Sequence, residues 1–169
     1  MAGMKTSVGD VVKEHYATFY DARTKKPRWQ DYVLPVVVPV LAGALSAALG
    51  WRMSSAGTLT NGLAILTGLL FALVVFVFQL RLDVTRDPRH EGQVSLRRRV
   101  DELFHNVLYA ILAGLTATMA SVIADAATPK DLPVDRWWTA ALVILGGHLV
   151  VTILMCLKRT LLAYRVLNR

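Results

Sequence analysis

The sequence predicts an all-α membrane protein with four transmembrane helices, an N-terminal amphipathic helix and both termini in the cytoplasm. Three observations carry that fold class. Of the 169 residues, 54% are hydrophobic, and mean hydropathy is +0.45, more apolar surface than a single soluble core of this size would bury. Four apolar stretches, 33–50, 63–80, 103–124 and 137–157, contain no Lys, Arg, Asp or Glu, and each approaches the ~20 residues that cross the hydrocarbon layer as a helix. The bases then sort by side: sixteen of the 19 Lys and Arg flank one end of these stretches and three flank the other.

That asymmetry decides between a membrane span and a buried soluble helix, since both are apolar all round. The positive-inside rule places segment 1–32, the basic loop 81–102 and the C-terminus in the cytoplasm, around a transmembrane domain spanning 33–169. Trp51, Trp137 and Trp138 fall at the opposite ends of their stretches, where an aromatic belt is expected. Sixteen bases against nine acids on the cytoplasmic side account for the whole formal net charge of +7. The first apolar run follows about thirty polar residues and lacks a small-residue cleavage pattern, so it reads as a retained span. Cys156 is the single cysteine, which rules out an intramolecular disulfide.

Element by element, Val8, Val11, Val12, His15, Tyr16, Phe19 and Tyr20 recur at helical spacing and predict a short amphipathic helix. Such a helix either anchors at headgroup level or docks on the cytoplasmic face of an assembly. In the first span, Pro35 and Pro39 lie four apart, and each removes a backbone donor, which predicts a local bend. Gly43, Ser46, Ala47 and Gly50 offer small surfaces for close helix approach. The second span is bulkier and joins the first through the short connection "RMSSAGTLTNG", which predicts an antiparallel hairpin of the two. The third span carries Ala113, Ala117 and Ser121 at spacing four, with Thr116 and Thr118 nearby: small and hydroxyl residues that favour tight helix contact or a wetted wall. In the fourth, Gly146 and Gly147 precede His148 near mid-bilayer.

Little here supplies catalysis. The four histidines are scattered, there is no HExxH pair, no Cys cluster and no Gly-rich phosphate loop, and "SSAG" at 54–57 sits in a short external turn without a nearby base. The chain is therefore expected to be no enzyme, with no catalytic residue, metal site or cofactor. His148 is an isolated ionisable group within a span, which points either to a cavity or to a neutral imidazole bonded to an adjacent helix. Glu102, Asn106, Tyr109, Ala113 and Thr116 share one helical face. Asn106, Tyr109, Ala113, Thr116 and His148 are accordingly the candidate pore lining.

The basic residues pose a separate question. In a helix entering the third span, Arg97 and Arg98 meet Asp101 and Glu102 at i+4, while Arg99 meets only Glu102 at i+3. Such pairs stabilise by about 0.2–0.5 kcal/mol in the better orientation, and positive charge in a first turn opposes the helix dipole. Lipid phosphates, at about 1 kcal/mol per base near the surface, would compensate the cluster. Alternatively Arg81, Arg86, Arg89 and Arg97, Arg98 and Arg99, with Lys25, Lys26 and Arg28, form a cytoplasmic site for an anion or nucleic-acid strand.

The stretches "FYDARTKKPRWQDYVLPVVVP", entering the first span, and "VDELFHNVLYAIL", entering the third, resemble small four-span membrane effectors of bacterial anti-phage systems, most nearly those of Hailong-type defence. The resemblance covers the architecture of nearly the whole chain. It implies a homo-oligomeric, tetrameric channel in the bacterial inner membrane. Such a channel is held closed by a cytoplasmic single-stranded nucleic-acid ligand made by a partner nucleotidyltransferase, and it depolarises the host when the ligand is lost. Two alternatives stay open: a non-conducting membrane adaptor that recruits a cytoplasmic partner through Tyr16, Phe19 and the basic loop, and a holin-like pore without ligand control.

Overall fold

The computed structural model describes residues 7–17, 29–86 and 94–167. They form five helices: α1 (Val8–Ala17), α2 (Trp29–Ala48), α3 (Gly57–Arg86), α4 (Val94–Ala127) and α5 (Arg136–Leu167), with no strand among the described residues. Ser7 precedes α1, and its N–H donates to Oδ2 of Asp10, an acid in the first turn of the helix, at 2.7 Å.

Three helical stretches, Gly57–Arg86, Leu96–Ala127 and Arg136–Lys158, are long and apolar enough to cross a bilayer, and Val33–Ala48 is a shorter apolar helix. At about 1.5 Å per residue, the 30, 34 and 32 residues of α3, α4 and α5 reach ~45–51 Å. A hydrocarbon layer is only ~30 Å thick. The surplus lies largely at the basic ends, where residues 81–86 and 94–102 continue α3 and α4 through most of the stretch that the sequence marks as a loop.

The helices pack as a row, α2 on α5, α5 on α4 and α4 on α3, with α1 against α4. The expected hairpin of the first two spans is therefore not a packed pair: α2 and α3 lie at the two edges of the row. Close approach explains the partners. A Cβ on Gly43 of α2 would sit 2.9 Å from the Ala140 carbonyl of α5, and one on Gly147 would sit 3.3 Å from Pro39 Cβ. Between α3 and α4, a Cβ on Gly114 would meet Thr67 Oγ1 at 2.5 Å. Ala117 and Ser121, from the small-residue stripe, are fully buried. Ser121 Oγ lies 2.8 Å from Thr60 Oγ1 of α3 and donates to the Ala56 carbonyl at 3.1 Å.

Gly50 has a different task from the packing its spacing predicts. At φ 65° it stands in the left-handed region just beyond α2, with Gly50 N–H on the Ala47 carbonyl and Trp51 N–H on that of Ser46. Those two bonds make a Schellman cap, which satisfies orphan carbonyls at the helix end. At the same end of the row, Met53 ties the connections together: its carbonyl accepts Val134 N–H at 2.9 Å, and its N–H donates to Thr139 Oγ1 at 3.2 Å.

A buried polar relay under the N-terminal helix as candidate functional site

The site begins with a missing donor. Within α2 the Pro35 carbonyl should be met by the N–H of residue 39, but that residue is proline and has none. His148 of α5 supplies the donor instead, with Nδ1 2.8 Å from the Pro35 oxygen. A carbonyl can only accept, so the His148 proton sits on Nδ1, and Nε2 is left as an acceptor. Tyr109 of α4 fills it, its hydroxyl donating across 2.8 Å. One imidazole thus ties three helices through two hydrogen bonds.

The relay continues to α1. Asn106, one turn before Tyr109, donates from Nδ2 to its own helix's Glu102 carbonyl at 2.6 Å. That turns Oδ1 outward, where it accepts from His15 Nδ1 of α1 at 2.7 Å. The His15 ring then lies flat on Tyr109, centroids 3.8 Å apart and planes within 5°. Tyr16 closes edge-on against the same ring at 6.0 Å. His15 and Asn106 are each only 1% exposed, so α1 is held on α4 by a buried polar contact rather than by apolar surface alone.

Of the candidate lining, Asn106, Tyr109 and His148 come together here. They are occupied by hydrogen bonds to neighbouring helices, which matches the partner-bonded alternative for His148. Ala113 is half-buried against the main core. Thr116 is exposed, its hydroxyl returned to the Leu112 carbonyl at 2.9 Å. The face drawn from Glu102 to Thr116 therefore divides: Asn106 and Tyr109 lie under α1, Ala113 packs on the core, and Thr116 is turned outward.

The basic candidates divide as well. Arg81 pairs with Asp101 and also reaches Thr85. Asp101 is thereby taken from Arg97, whose Nε is buried without a hydrogen-bond partner. Arg98 keeps its i+4 contact, with Nε 3.2 Å from Glu102 Oε1. Arg99 is half-buried and Arg86 exposed. Lys25, Lys26, Arg28 and Arg89 lie outside the described residues, as does Phe19.

Outside the apolar helices, Asp10 is held below the ordinary carboxylate range, first by the Ser7 backbone N–H that it accepts. Among the described residues no group of three or more His, Cys, Asp or Glu is arranged to hold a metal ion.

His15 is the functional candidate that sequence reading missed; it registers there only as one member of a helical stripe. Its signal is partnership over 91 residues, which no local pattern carries. The Pro35–Pro39 spacing does announce an orphan carbonyl, but not that His148 is the donor that meets it. Comparison of the chain with protein-family models, with curated proteins and with solved structures finds no match.

Proposed function

We propose that this chain is the membrane-embedded, pore-forming effector of a bacterial anti-phage system. It assembles as a homo-oligomer, four copies by its resemblance to Hailong-type effectors, and α2 completes a four-span topology with both termini in the cytoplasm of the inner membrane. A cytoplasmic single-stranded nucleic acid, the product of a partner nucleotidyltransferase, holds the pore closed. Loss of that ligand opens it and depolarises the membrane.

The observation that carries this reading is the docking of α1. A ten-residue helix sits on α4 through His15, directly on Asn106 and Tyr109, about two to three turns from Arg97, Arg98 and Arg99. A separate element pinned at the base of a span, beside positive charge, has the arrangement of a gate whose position a cytoplasmic anion can bias. Arg97 makes no ion pair among the described residues, since Arg81 takes the acid at its i+4 position. Among the described residues the four apolar helices pack on one another in a row, which favours a pore formed between copies over one within a single copy. The adaptor alternative needs Tyr16 as a partner contact, and Tyr16 packs against Tyr109.

The test is ion flux from liposomes holding the purified full chain, with and without short single-stranded oligonucleotides. Flux suppressed by oligonucleotide in the parent, and no longer suppressed in Arg97→Ala/Arg98→Ala/Arg99→Ala, is the expected result. Suppression should weaken steeply with salt, because phosphate contacts release counterions. A chain that conducts under no condition would refute the pore, and flux indifferent to oligonucleotide would leave a holin-like pore.

A further inference from the structure

At the end of the row opposite the basic extensions, a cavity of about 520 Å³ opens between the connection after α2 and the start of α5. Its polar wall is Arg52, Thr128 and Asp135; Trp137 and Trp138 supply its aromatic wall, and Leu132 is among its apolar residues. That volume falls in the range of small-molecule sites, ~300–1,000 Å³.

The charged groups on this wall are only partly used by the protein. Thr128 Oγ1 is spent on the Ala124 carbonyl. Asp135 Oδ1 accepts Trp137 N–H at 2.8 Å, capping α5, and the carboxylate makes no ion pair among the described residues. Arg52 likewise makes no ion pair there. Arg136 stands over the Trp137 ring at 5.0 Å, so that aromatic face is already taken by a cation. Lys130 and Asp131 do not line the cavity. Trp138 is anchored beneath by the cluster of Ala56, Ala124, Val134 and Leu142.

A guanidinium and a carboxylate across one cavity fit a ligand that carries both an anion and a cation. Leu132 and Trp137 of the lining, and Leu49 and Trp51 in the chain just before Arg52, are each more than half exposed where the apolar helices end. Tryptophan and arginine at such an end sit at headgroup level. We propose that this cavity binds the headgroup of a zwitterionic aminophospholipid, of the phosphatidylethanolamine type. Arg52 takes the phosphate and Asp135 the primary ammonium, while the acyl chains leave along the exposed apolar rim. A quaternary ammonium has no N–H to donate to the carboxylate, whereas a primary ammonium has three. An anionic headgroup without an amine leaves Asp135 unpaired and repelled.

The experiment is lipid retention by the full chain, measured by native mass spectrometry from nanodiscs of mixed phosphatidylethanolamine, phosphatidylcholine and phosphatidylglycerol. Free phosphoethanolamine serves as competitor. Retention of phosphatidylethanolamine about tenfold over the other two is expected. Arg52→Ala should abolish it, and Asp135→Asn, which keeps the cap, should remove the preference over phosphatidylglycerol. Both sites are exposed, and unchanged helicity by circular dichroism checks the fold. Equal retention of the three lipids, or a preference that survives Asp135→Asn, overturns the proposal. Displacement of lipid by phosphoethanolamine at the lipid's own concentration overturns the lipid as ligand and makes the site one for a soluble metabolite.

Discussion

Removing His148 should cost far more when residue 39 is proline than when it is not. The imidazole makes two bonds, to the Pro35 carbonyl and from the Tyr109 hydroxyl, both 2.8 Å. His148→Ala strands the Pro35 carbonyl inside the helix row and takes from the Tyr109 hydroxyl one of its partners, leaving it Tyr16; an orphaned buried polar group costs roughly 1–3 kcal/mol. Hydrogen bonds between membrane helices average about 0.6 kcal/mol and reach about 1.7, which draws the expected total towards 2–3 kcal/mol. Pro39→Ala restores a backbone N–H where the Pro35 carbonyl can accept it in the ordinary i→i−4 manner. In that background His148→Ala removes only the bond from Tyr109 and should cost about 1 kcal/mol. The double-mutant cycle therefore predicts a coupling of about 1–2 kcal/mol, read by equilibrium unfolding in mixed detergent and SDS micelles. Pro39 meets Gly147 across the α2–α5 contact, so both backgrounds need direct measurement of Pro39→Ala alone. If His148→Ala costs the same with and without the proline, to within about 0.3 kcal/mol, the orphan-carbonyl argument fails.

Other expectations follow from single contacts. His15→Ala removes one buried hydrogen bond and a ring stack, about 1–3 kcal/mol together, so α1 should leave α4. Spin labels on α1 and α4 should report a lengthened and broadened distance, while α3–α4 distances stay fixed. Gly114→Val places a branched side chain where Thr67 already stands at 2.5 Å from a built Cβ, and it should destabilise the α3–α4 contact by about 1–3 kcal/mol or more. For pH, Asp10 is held below its ordinary value by the Ser7 N–H. A depressed carboxylate stabilises at all pH above its unfolded value near 3.8, and that contribution fades as pH falls through the folded value. Protection of the first-turn amides of α1 in hydrogen exchange should thus weaken below pH 3.8 and be pH-insensitive there in Asp10→Asn.

How far the sequence speaks depends on the range of the interaction. The absence of charge over 63–80, 103–124 and 137–157 marks three helices that the structure carries, because a span is a local property of composition. The missing donor at Pro39 is also local and can be anticipated, whereas Gly50, read by its spacing as a packing residue, caps α2 instead. Partner choice cannot: a short connection reads as a hairpin, yet α2 seeks α5, because Gly43 and Gly147 admit Ile144 and Pro39. Within the site, Asn106, Tyr109 and His148 stand out in sequence as polar residues in apolar surroundings, and the structure joins them. The face that links Asn106 to Thr116 by helical spacing does not act as one surface, since α1 covers Asn106 and Tyr109, the core takes Ala113, and Thr116 is left outside. Arg97 shows the same limit: its i+4 acid is drawn away by Arg81, twenty residues from Asp101.

The position of α1 is the hinge of the functional account, and ion flux from liposomes reconstituted with His15→Ala tests it most directly. If α1 closes the pore through its seat on Asn106 and Tyr109, the variant should conduct under oligonucleotide concentrations that silence the parent chain. The same oligonucleotide sensitivity in variant and parent, with α1 shown by spin-label distance to have left α4, would contradict the account.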